Sequence, residues 1–165
     1  MRTPGSPLKI PCHGEELFWS IRAIHSHFEA IHGAWAECIG VSLPQFTMML
    51  ALRDYDPDRT GLPVKEVAKL MGVDPTFATT QSKLLETMNL ISRNSSSDDA
   101  RVVRLSLSDL SLKHLAALSQ RQRKLNEYIY SELTERGRQA LAMKASSLRI
   151  RMEKASVIAL MNLGD

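Results

Sequence analysis

The sequence predicts a mainly α-helical fold with one small β-hairpin, and three observations carry that expectation. Apolar residues recur at steps of three and four along most of the chain. Eight methionines stand among many leucines and alanines, while aromatics make up only 5% of residues, a composition that favours helices. A single short run, Val103-x-Leu105-x-Leu107, alternates with period two.

At 165 residues the chain fits one domain, or one compact domain with appended helices. Its 44% hydrophobic and 24% charged content is ordinary for a globular protein. A net charge of +3 is compatible with a nucleic-acid partner without demanding one. Cys12 and Cys38 are too far apart for a CxxC pair, so neither a disulfide framework nor a Cys-rich zinc site is expected. A reducing cytosol suits such a chain. Prolines at 4, 7 and 11 make residues 1–14 a flexible arm rather than a signal peptide. No stretch approaches the ~18 apolar residues of a membrane span.

The elements follow in order. Leu17, Ile21, Ile24, Phe28, Ile31 and Trp35 mark one long amphipathic helix over 15–39, stopped by Gly40. Ser42 caps a second helix that Pro44 opens and that runs to Tyr55. The turn formers of 56–63 make a loop, in which Asp56 and Asp58 are read as solvated. Pro63 opens a short helix with Val64, Val67, Ala68 and Met71 on one face. Gly72 turns the chain, Asp74 caps the next helix, and that helix runs from Pro75 to about Met88. Asn89 tolerates the left-handed end of a helix. Two strands are expected over 90–93 and 102–107, then helices over 108–133 and 135–161.

A short helix, a glycine turn, a second helix and a β-hairpin form a winged helix-turn-helix arrangement. The second helix suits a DNA major groove, and the hairpin loop suits the neighbouring backbone or minor groove. Thr76, Thr79, Thr80 and Lys83 share a face at i, i+3, i+4 and i+7. Their hydroxyls and ammonium can meet bases or phosphates, and Phe77 or a threonine methyl can meet a thymine methyl. The plain alternative is a polar surface helix in a helical bundle. Charge does not decide, because residues 61–105 hold six Lys/Arg against five Asp/Glu.

The segment from Gly61 to Arg93, followed by Asp99-Ala100-Arg101 and Leu107-Ser108-Asp109-Leu110-Ser111, resembles the MarR family of transcriptional regulators. Asp99-x-Arg101 matches the family's wing signature, and the likeness in order and spacing extends over roughly residues 15–160. The resemblance implies a homodimer on a pseudo-palindromic operator. A winged lobe over 42–107 would stand between dimerisation helices over 15–39 and 108–161, all within a single domain over 15–165. It places Arg101 in the minor groove, with Asp99 pre-organising its planar fork. Asn89 and Ser111 stand where the family commonly has glycine, and Thr80 where a basic residue is common. DNA affinity would therefore lean on Arg93, Arg101, Arg104, Lys65 and Lys69.

Family members commonly respond to a small anionic or aromatic effector, an oxidant or a metal. His32, Trp35, Met49 and Arg53 are the candidates for an effector pocket, by stacking and anion pairing, against core packing as the simpler role. His25, Glu29 and His32 share a helix face, yet interface polar residues explain them more simply than a metal. Near Cys38 only Glu37 is charged, which does not favour a redox thiolate. No catalytic motif is present and no cofactor is signalled. The rival to a DNA-binding regulator is a helical interaction protein that keeps the fold without binding DNA.

Overall fold

The computed structural model describes residues 13–96, 99 and 101–161. Cys12, most of the expected N-terminal arm, and Ser97 and Asp98 at the hairpin tip lie outside them. Among the described residues six helices and three short strands follow one another: α1 (His13–Ile39), α2 (Leu43–Tyr55), β1 (Leu62–Pro63), α3 (Val64–Met71), α4 (Pro75–Thr87), β2 (Ile91–Ser95), β3 (Val103–Leu107), α5 (Asp109–Ile129) and α6 (Glu135–Met161). The chain divides into two compact units, Met1–Ala117 and Leu118–Asp165.

Local chemistry sets the helix ends of the first unit. Gly40 takes the left-handed conformation (φ 78°) that releases the chain from α1. Ser42 and Gln45 form a reciprocal capping box: the Gln45 amide N–H donates to Ser42 Oγ at 3.4 Å, and the Ser42 N–H donates to Gln45 Oε1 at 2.9 Å. Asn89 closes α4 at φ 56°. These boundaries agree with the sequence to within one or two residues. β1 was not foreseen. It pairs antiparallel with β3, Leu62 opposite Leu105, and makes β3 the middle strand of the order β1-β3-β2. On β3, Leu105 and Leu107 point inward, joining Phe46, Met48, Met49, Leu52, Val67 and Leu85 in a close-packed core.

The loop after α2 also differs from expectation. Asp58 is exposed as expected, but Asp56 is buried, not solvated. Its two carboxylate oxygens accept the Gly61 N–H at 3.2 and 3.0 Å, and the Thr60 hydroxyl adds a contact at 3.3 Å. One backbone donor and one hydroxyl, rather than bulk water, satisfy the buried carboxyl group. Arg59 sits at φ 56°, and its guanidinium donates to the Leu107 carbonyl at 3.1 Å and to Asp109 Oδ1 at 2.8 Å. Ser111 is also buried: its hydroxyl donates to the Leu90 carbonyl, which accepts the Ser108 N–H as well. A glycine here would leave that oxygen one donor short.

In the second unit a tight turn leads into α6, where Thr134 Oγ1 accepts the Gly137 N–H at 3.1 Å. Leu141, Ala145, Leu148 and Met152 share one side of α6 as expected, yet no residue of this 27-residue helix is buried within the chain.

Candidate nucleic-acid interface

The two helices of the lobe are joined by Gly72 in the left-handed region (φ 67°, ψ 32°), a conformation that costs glycine nothing. Asp74 then caps α4, accepting the Thr76 N–H at 2.7 Å. That bond, first among several, holds the Asp74 carboxyl below its usual range. Ala78, Ser82 and Leu85, spaced i, i+4, i+7, face the core. The opposite side is open: Thr76, Phe77, Thr80 and Lys83 are exposed and Thr79 is half-buried. The Thr79 and Thr80 hydroxyls donate to the carbonyls of Pro75 and Thr76, one turn back, at 2.8 and 3.1 Å.

The hairpin closes through Ser96 and Val102, whose backbones bond at 2.8 Å. Asp99 accepts the Arg101 main-chain N–H at 2.9 Å, so it acts on Arg101 through the backbone and sets where the exposed side chain leaves the turn. Pre-organisation of the fork itself was the expectation; the recorded contact is to the amide instead, because an Asp two residues upstream reaches that N–H in a tight Asx turn. Arg104, half-buried, stands opposite Asn94 on the outer face of the sheet, where the Ser92 and Ser106 hydroxyls meet at 2.7 Å. Lys65 is exposed in the first turn of α3.

Arg93 does not share this outward setting. It lies opposite Leu105 and so on the inner face, with a side chain only 11% exposed. Its Nε is 3.4 Å from Glu86 Oε2, and Nη1 donates to the buried Ser82 hydroxyl, which itself donates to the Thr79 carbonyl at 2.8 Å. The residues it meets, Ser82 and Glu86, carry no sequence motif; only strand parity with Ile91 pointed to them.

On α1 and α2 the four effector candidates separate into three settings. His32 and Trp35 form one aromatic cluster with Phe28 and Phe46, neither of which was a candidate for the effector pocket; the His32 ring lies 5.5 Å from Trp35 and 5.9 Å from Phe46. Met49 belongs to the core. Arg53 is exposed and bonded to Asp54 by two contacts, at 2.7 and 3.2 Å. Burial, and secondarily the Arg53 charge, lower the His32 pKa below 6.5. The folded state therefore holds fewer protons than the unfolded chain as pH falls through 6.5, and loses stability in that window. His32→Phe should flatten the slope of stability against pH between about 7 and 5, read by urea unfolding in a buffer series. His25 pairs with Glu29 at 3.5 Å on the surface, and among the described residues no cluster of three or more metal-ligating side chains forms.

The sequence model of the MarR family matches residues 41–103. Among solved structures the chain is similar to a MarR protein from Peptoclostridium difficile DA00132, at TM-score 0.74 and 14% identity over 93% of this chain and 96% of that one. It is similar also to a MarR/EmrR family transcriptional regulator from Acinetobacter sp. ADP1 (TM-score 0.71, 15% identity, 87% and 99% covered). A third likeness is to the S. aureus MepR-DNA complex (TM-score 0.66, 16% identity, 81% and 94% covered). At such identities the likeness is one of fold. No curated protein matches the sequence.

Proposed function

We propose that the protein, whose residues 41–103 match the sequence model of the MarR family of transcriptional regulators, is a ligand-responsive, homodimeric repressor. It binds double-stranded DNA, in the cytoplasm, at a pseudo-palindromic operator, and performs no catalysis. The observation that carries this reading is the two-sidedness of α4: Ala78, Ser82 and Leu85 are buried while Thr76, Phe77, Thr80 and Lys83 stand free beside a hairpin that exposes Arg101. In use, α4 enters the major groove and Arg101 the adjacent minor groove, with Lys65 and Arg104 near phosphates.

Dimerisation is supported by what the single chain leaves uncovered. Leu17, Phe18, Ile21 and Ile24 of α1 are exposed, and α6, about 40 Å long at the usual helical rise, has no buried residue. Helices of this kind draw their stability from packing, which a second copy supplies. Two-fold symmetry then sets half-sites about one DNA turn apart. Among the described residues no helix is long and apolar enough to cross a membrane. A small anionic or aromatic effector engages the His32–Trp35 region beside Arg53 and releases DNA through its preference for one of two states.

Duplexes selected from a random pool by the purified protein, followed by fluorescence anisotropy, test the reading. Arg101→Ala should weaken the selected duplex by ~1–3 kcal/mol. Lys83→Ala should weaken all duplexes alike and lower the salt slope by about one. A protein that selects nothing at low salt is no DNA-binding regulator. The rival, a helical interaction protein, rests on the weak charge of the lobe, six Lys/Arg against five Asp/Glu over residues 61–105; the same experiment separates the two.

A further inference from the structure

We propose that Arg93 is a positioning residue that locks α4 to the wing, and that it sets the protein's DNA sequence selectivity without touching DNA. The inference rests on the DNA-binding reading. Its basis is a chain of contacts from β2 into α4. Arg93 projects from the inner face of the wing, bonds Ser82 Oγ and lies 3.4 Å from Glu86, which is one turn further along α4. Ser82, fully buried, passes the connection to the Thr79 carbonyl, behind the face that meets bases. The planar guanidinium, with donors fixed in a fork, holds two points of one helix at once and so resists both sliding and rotation of α4 against the hairpin.

A site held by such a clasp binds well only to DNA whose groove geometry fits the preset angle between helix and wing. Loss of the clasp frees the angle. Selective binding then falls, whereas binding governed by phosphate charge persists. A residue that neutralised a phosphate would behave oppositely, weakening every duplex and reducing the salt slope.

The test compares wild type, Arg93→Met and Ser82→Ala on a duplex selected by the wild type and on one of unrelated sequence, across a salt series. Hydrogen exchange of the free proteins is measured alongside. Arg93→Met should lose on the order of tenfold on the selected duplex with little change on the unrelated one. The salt slope should not change, and amides of α4 should exchange faster while those of α2 do not. Ser82→Ala keeps the arginine and should shift both readouts in the same direction by less, which covers the case in which Arg93→Met does not fold. Equal loss on both duplexes with a salt slope reduced by about one overturns the proposal, as does unchanged selectivity. If the wild type selects no duplex, the DNA reading itself fails. The clasp then stands or falls by exchange alone: unchanged protection of α4 in Arg93→Met overturns it.

Discussion

Phe46→Ala is expected to lower the stability of the folded protein by about 3–5 kcal/mol, the cost of removing a buried aromatic ring. The Phe46 side chain is fully buried, and rings from α1 pack against it at 5.9 Å (His32) and 6.4 Å (Trp35), so the ring joins α1 to α2. Both contacts are edge-on, an arrangement that contributes about 0.5–1.5 kcal/mol per pair beyond burial. Urea unfolding at a fixed protein concentration measures the loss, the concentration being held because association shifts apparent stability. Phe46→Leu, which keeps most of the volume, should lose less than half as much. Water entering the void would relieve the desolvation of His32, so the alanine variant should also show a shallower dependence of stability on pH below 6.5.

Asp56→Ala is expected to cost about 1–3 kcal/mol, although the residue lies in a loop and touches no candidate DNA-contacting side chain. Alanine removes both acceptors of the buried Gly61 N–H, and an unsatisfied buried donor costs about 1–3 kcal/mol. The loop cannot rearrange cheaply to recover it. Gly61 is at φ 88°, and an added Cβ would lie 3.0 Å from Arg104 Cβ, so the backbone is already pressed against β3. Arg59, held in the left-handed region two residues earlier, anchors the same loop to Leu107 and Asp109. Asp56→Asn keeps an oxygen for Gly61 and should fall between the two; an alanine variant as stable as wild type would show that the carboxylate is dispensable.

Most helix boundaries were legible because they depend on short-range chemistry. A serine or aspartate before proline at Ser42 and Asp74, glycine at 40 and 72, and asparagine at 89 each act within one turn of chain. What was not legible depends on partners distant in sequence. β1 is two residues long, with no alternation to detect, and exists only because β3 pairs with it. Asp56 was assigned to solvent by residue type, while the donors it meets, Thr60 and Gly61, are brought to it by the path of the loop. Arg93 was grouped with DNA-facing cations for the same reason, although its parity with Ile91 placed it on the inner face. The stripe of α6 was readable, but a stripe does not name what covers it, and the chain itself does not.

The hydroxyls of α4 carry one more consequence. Thr79 and Thr80 donate to carbonyls one turn back, and Ser82 and Thr87 donate to carbonyls three residues earlier. At Thr79 and Thr80 the hydroxyl protons are thus already committed within the helix, and lone pairs remain to face outward. On a DNA-binding helix this favours the amino groups of adenine and cytosine, the donors on the major-groove edge, over guanine O6 and N7, which need a donor such as the Lys83 ammonium.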